Sequence, residues 1–262
     1  MTPLPRVMRL GSAALVFAAA SMCGGLAVAE DSVPSASNGI AGKNVTLLGI
    51  NSGTVAPNGT VYGSISGSTE SQYSDYDIDG SAELGFGVGD ADEGVGAQMS
   101  VVLASLTDDF GDAGYLNFKL SRRIAAGDHP TYIGLEGSQI GNWGASDVLE
   151  PQGTLAVTTF GRASFGSATE TYPYMLTLGA GTGLRNNQED PGVIFGAGVG
   201  LTENFGVSAA WTGETVDLGL GFRARALGNA SLTLQANDVL DQEDRQQFTF
   251  TVNFAVNNLW GS

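Results

Sequence analysis

Val216-Asp217-Leu218-Gly219-Leu220-Gly221-Phe222-Arg223 places an apolar residue at every second position and a small or charged one between. Side chains alternate faces along a β-strand, so this stretch reads as a strand with one apolar face and one of Asp, Gly and Arg. The period recurs. Phe248, Phe250, Val252 and Phe254 alternate with Gln247, Thr249, Thr251 and Asn253, and Leu116, Phe118 and Leu120 with Tyr115, Asn117, Lys119 and Ser121. Ala82, Leu84, Phe86 and Val88 alternate with Ser81, Glu83, Gly85 and Gly87. Twelve such segments are read, near 59–66, 80–89, 94–105, 113–123, 131–138, 153–165, 172–182, 192–202, 205–212, 215–225, 229–237 and 246–256. Turn signals such as Asp190-Pro191-Gly192 and Gly228-Asn229 separate them, and no amphipathic helix is read after residue 29.

The composition of the polar face decides what the strands build. A soluble sandwich would carry charged residues there, to meet water. Here it is mostly Gly, Ser, Thr, Asn and Gln, and only 15% of the chain is charged. Such a face suits the inner wall of a closed barrel, with the apolar face turned to lipid. Most segments are about the 9–11 residues that a tilted strand needs to cross a bilayer. Tyr172, Tyr174, Phe165, Trp211, Phe205, Phe248 and Trp260 fall near strand ends, where aromatic girdles belong. The expected fold is all-β: a transmembrane, antiparallel, up-and-down β-barrel of about twelve strands.

On these residues, the stretch 59–256 resembles the porin-like outer-membrane β-barrels of Gram-negative bacteria. Phe248, Phe250 and Phe254 resemble the family's C-terminal assembly signal, although the chain runs on through Trp260 to Ser262. The resemblance implies an outer-membrane location and passive diffusion of ions or small solutes. It implies outer-membrane lipids and the barrel-assembly machinery as partners; the acidic outer loops described below could add lipopolysaccharide, bridged by divalent cations. The alternatives are a non-conducting structural or surface-interaction barrel, and a secreted Gly-rich β-structured adhesin.

Residues 1–29 read as a cleaved signal peptide: Arg6 and Arg9, an apolar run from Ala13 to Ala20, then Ala27-Val28-Ala29. Cys23 offers a lipoprotein alternative, but Ala20 and Met22 depart from that motif. Cleavage at Ala29 removes 29 of 262 residues and both arginines, moving the net charge from −16 to −18. It also removes the single cysteine, leaving no disulfide or Cys-based metal site. Residues 30–58, rich in Ser, Gly, Asn and Pro around an apolar patch at Val45 to Ile50, read as an N-terminal arm or lumen-filling segment. Residues 59–262 form the barrel unit. The acidic balance excludes a nucleic-acid partner.

Strand parity places Glu83, Lys119, Arg123, Glu136, Arg162, Asp217 and Arg223 on the inner wall. Charges inside a barrel are costly unless wet or paired, so they mark a channel lining or an internal salt-bridge network. If both termini are periplasmic, the longer connections face outward and carry an acidic rim that includes Asp75, Asp77, Asp79, Asp108, Asp109 and Asp112. Asp75-x-Asp77-x-Asp79-Gly80 opens like an EF-hand, but position twelve is Phe86 rather than Glu, so no metal site is assigned. Gly-x-Gly-x-Gly runs at Gly85, Gly179 and Gly196 keep period two and open no helix, so they read as wall and not as a nucleotide loop. The only histidine, His129, lies in a short turn, away from any Ser–His catalytic pair. The sequence calls for no enzyme activity and no cofactor.

Overall fold

The computed structural model describes residues 43–69, 78–104, 106, 111–164, 170–186, 188–223, 225–243 and 246–260. Period-two alternation becomes twelve strands: β1 (Val61–Thr69), β2 (Ile78–Gly89), β3 (Gly96–Leu103), β4 (Gly114–Ala125), β5 (Thr131–Trp143) and β6 (Gln152–Ala163) in the first half. The second half adds β7 (Tyr172–Arg185), β8 (Asp190–Gly200), β9 (Phe205–Trp211), β10 (Val216–Arg223), β11 (Ala230–Asn237) and β12 (Gln247–Val256). Each strand pairs antiparallel with its sequence neighbours. β1 also pairs with β12, from Val61 opposite Val256 to Ser68 opposite Thr249, and this closes the barrel. Short 3-10 turns at Gly144–Val148 and Arg225–Leu227 are the helical elements among the described residues.

The two faces fall as the alternation requires. Leu84, Phe118, Leu135, Leu178, Phe195 and Leu234 project outward and are exposed. Their neighbours Glu83, Asn117, Glu136, Thr177, Ile194 and Thr233 project inward and are buried. A closed sheet with an apolar exterior satisfies its backbone internally and presents hydrocarbon to lipid, which makes it a membrane-spanning barrel. Aromatic pairs sit toward both ends: Phe205 against Phe222 and Phe86 against Trp260 at the end that carries the described termini, and Phe195 stacked on Trp211 at the far end. Phe165 lies outside the described residues.

Strand boundaries follow the sequence reading to within a few residues, with two informative exceptions. The alternation of β5 stops at Ser138, yet the strand continues to Trp143. Register shifts interrupt β4–β5 between Gly114 and Phe118, and Gln139 takes a left-handed φ of 57°. A bulge adds a residue and inverts parity, so Gln139 turns inward where period two would put it outside. β7 likewise extends to Arg185, with a register shift after Gly181. The connections expected over 139–152 and 183–191 therefore shrink to 144–151 and 186–189. Far-end connections are mostly the longer set, as at 104–113 and 238–246, but 186–189 and 212–215 are short. At the near end, 164–171 is as long as several of the far-end loops.

Residues 43–58 run inside the barrel. The segment enters at the near end, where Asn44 N–H donates to the Thr202 carbonyl (2.8 Å), and climbs along β8 to β10. It turns at Gly49–Asn51, crosses to β5 and β6, and descends past β3 and β2 to the start of β1.

The lipid-facing assignment predicts a depth dependence. Leu178→Arg, outward at the middle of β7, should destabilise the barrel in vesicles by about 2–4 kcal/mol, and Val256→Arg, at the end of β12, by about 0–1 kcal/mol. Denaturant titration followed by heat-modifiable migration measures both. Equal costs at the two positions would contradict a membrane-buried exterior.

Candidate functional site: the barrel lumen

Glycines on the inner wall let the arm approach closely. A Cβ on Gly198 would overlap the Thr46 carbonyl oxygen, and one on Gly87 would overlap the Ala56 carbonyl. At the crossing, a Cβ on Gly134 would lie 2.8 Å from the Gly53 oxygen. In place of side chains, the wall offers hydrogen bonds. Leu48 N–H donates to Ser208 Oγ (3.2 Å) and Gly53 N–H to Thr158 Oγ1 (2.7 Å), while Ser121 Oγ donates to the Gly53 carbonyl (2.6 Å). The apolar patch at Val45 to Ile50 supplies the rest of the anchor. Val45, Leu47 and Ile50 pack with Phe160, Met175, Ile194 and Ala210 in a core enclosed by the barrel. Burying aliphatic side chains stabilises by about 1.5–3 kcal/mol each, so the arm is firmly seated.

The inward charges separate into three groups. Lys119 and Glu136 face each other across β4–β5 and form an ion pair at 3.3 Å, with both side chains almost fully buried. Glu83 ends a relay that reaches the arm: Ala56 N–H donates to Gln98 Oε1 (2.8 Å), Gln98 Nε2 to Tyr62 Oη (2.6 Å), and Tyr62 Oη to Glu83 Oε1 (3.5 Å). Asp217 accepts from Thr215 Oγ1 (3.2 Å), Gln235 Nε2 (2.9 Å) and the Asp238 N–H (3.0 Å). From there a polar ladder runs around the wall. Gln235 donates to Asn237, Asn237 donates to Thr249 Oγ1, and Thr249 shares a hydrogen bond with Ser68.

Arg123, Arg162 and Arg223 have inward parity but lie at the near ends of their strands. Arg162 and Arg223 are exposed there, and half-buried Arg123 pairs with Asp92 (2.9 Å), which also accepts from Tyr132 Oη (2.5 Å). The sequence placed these three by parity alone, which carries no information about depth. Of the acidic rim, Asp75, Asp77, Asp108 and Asp109 lie outside the described residues; Asp79 takes a place in β2 opposite Ser68, and Asp112 is exposed. His129 sits in the β4–β5 connection against Tyr174, with Tyr174 Oη 3.4 Å from Nδ1.

A cavity of about 150 Å³ opens at the far end, above the apex of the arm. Gly49, Ile50 and Asn51 form its floor, and Asn117, Glu136, Gln152, Gln188, Thr215 and Asp238 are among its walls. Sequence reasoning missed Gln139, Gln152 and Gln188, which join here: Gln139 Nε2 (3.0 Å) and Gln152 Nε2 (2.8 Å) both donate to Gln188 Oε1. Gln139 and Gln188 lie beyond the bulges, where the alternation ends. The positive φ of Gln188 (69°) and Asp238 (50°), at strand ends expected to be loops, carried no pattern to detect them.

Removing one member of a buried ion pair strands the other. Lys119→Met should destabilise the folded barrel by about 3–5 kcal/mol in detergent unfolding, and the added change Glu136→Gln should restore most of the loss. A single variant as stable as the parent would mean that water reaches both groups freely.

No protein-family model matches the sequence, and no curated protein sequence matches it. Solved structures with a similar chain path include the KdgM porin in complex with disordered oligogalacturonate (8% identity, TM-score 0.45, covering 74% of this chain and 98% of that one). The COG4313 outer membrane channel from Pseudomonas putida F1 is similar at 12% identity and TM-score 0.43, over 77% of this chain and 97% of that one. The Acinetobacter baumannii outer membrane protein Omp33 is similar at 9% identity and TM-score 0.42, over 76% and 98%.

Proposed function

We propose that the chain is an outer-membrane channel for ions or small polar solutes, with residues 43–58 narrowing its lumen and the near end facing the periplasm. One observation carries this reading: the barrel is inverted, apolar outside, with hydroxyls, amides and carboxylates along an interior that opens into a cavity at one end. Membrane barrels with polar interiors serve as water-filled paths or hold plugs, and this interior combines the two features. The buried charges described inside are Glu83, Glu136, Asp217 and Asp238 against Lys119. That excess favours cations.

A second reading has its own support. The apolar anchor of Val45, Leu47 and Ile50 seats the arm as a permanent filling would, which favours a non-conducting structural barrel. Conductance of the purified chain in planar bilayers decides between the two. A channel gives discrete steps with a cation-selective reversal potential, and Asp217→Asn shifts that potential toward zero. Gly198→Val, which pushes the arm from the wall without touching the outer face, should enlarge the steps. A folded barrel that never conducts, with or without Gly198→Val, would leave the structural reading.

A further inference from the structure

We infer that the far-end cavity is a binding site for a small, uncharged, hydroxyl-rich solute of about the size of one monosaccharide. The inference rests on the channel reading and adds to it a neutral solute class that would bind at the mouth of the lumen, while the charge along the interior sets the selectivity among ions. The cavity's volume of about 150 Å³ suits one such ring.

Its chemistry sets the ligand class. Among the described residues, four carboxylates lie at or beneath the cavity, Glu136, Glu214, Asp217 and Asp238, and none of them is without a partner. Glu136 is paired with Lys119, and Asp217 accepts three hydrogen bonds. Asp238, 1% exposed, accepts the backbone N–H groups of Gln242 (2.7 Å) and Glu243 (2.9 Å). Charge that is bound to fixed donors gives a cation little new to gain. No Lys, Arg or His lines the cavity among the described residues, so an anion would meet carboxylates with no compensating donor.

Amides remain, and they present both polarities. Gln188, which lines the cavity, spends its Oε1 on Gln139 and Gln152 and keeps its NH₂ group as a donor. Gln152 spends a donor on the same bond and keeps its Oε1 as an acceptor. A hydroxyl both donates and accepts, so it satisfies either group, whereas a charged ligand satisfies one. Ile50, Leu184, Ile194 and Tyr115 supply apolar surface at the same cavity. Polar convergence beside an apolar flank matches the C–H face and hydroxyl rim of a sugar or cyclic polyol. Three amides held in one bonded cluster lose little freedom when the ligand binds.

The test uses the full chain, folded in detergent, with D-glucose, D-glucuronate and D-glucosamine as neutral, anionic and cationic probes of one shape. Saturation-transfer NMR titration should give a Kd for glucose of about 1–10 mM. Glucuronate should bind at least tenfold more weakly, and glucosamine within a few-fold of glucose. Gln152→Leu combined with Gln188→Leu should weaken glucose at least tenfold, while the compact unboiled form on a detergent gel is retained. Absence of glucose binding at about 50 mM would overturn the proposal, as would glucosamine or glucuronate binding tenfold more tightly than glucose. The three-probe comparison needs no variant, so a variant that fails to fold leaves it decisive. Binding without conductance would defeat the channel reading and keep this site; conductance without binding would do the reverse.

Discussion

The pairing of β1 with β12 is the constraint on which the rest of the structure depends. In hydrocarbon an unpaired backbone N–H or C=O costs several kcal/mol, and an open edge exposes a row of both. The eight paired positions from Val61–Val256 to Ser68–Thr249 remove the last edge. Closure then fixes everything else, because period two assigns each residue to lipid or lumen once a single strand is oriented. The scarcity of charge follows, since half of each strand must face lipid. So does the abundance of Gly, because the enclosed face must admit a chain segment as well as its own side chains.

Inside, close approach replaces large side chains as the means of packing. The arm touches Gly198, Gly134 and Gly87 on three sides of the wall, and a methyl group at any of them would collide with its backbone. Hydrogen bonds to Ser208, Thr158 and Gln98 then satisfy arm amides that have no strand partner. The apolar patch from Val45 to Ile50 finds its core in Met175, Phe160 and Ile194. The lumen is thus a small protein interior with a polar half, where the Lys119–Glu136 pair and the Asp217 ladder lie, and an open end.

How much of this was legible depends on whether period two held. All twelve strands were readable, because lipid outside and small residues inside give a two-letter alternation. The inward placement of Glu83, Lys119, Glu136 and Asp217 came from the same parity. Legibility failed in three physical circumstances. Bulges in β5 and β7 reset the parity, which hid the inward turn of Gln139 and the strand extensions to Trp143 and Arg185. Depth along a strand leaves no mark on alternation, so Arg123, Arg162 and Arg223 read as lumen charges when they stand at the mouth. The path of the arm was also hidden, because a glycine wall says that something comes close without saying what.

The central claim is that the barrel is narrowed by its own residues 43–58. Hydrogen exchange of the folded chain, resolved over that segment, tests it most directly. The amides of Asn44, Leu48, Gly53 and Ala56 are bonded within the lumen, so they should exchange orders of magnitude more slowly than a free chain, on the timescale of the strands. Exchange of all four at free-chain rates, with the strands still protected, would place the arm outside the barrel and contradict the account.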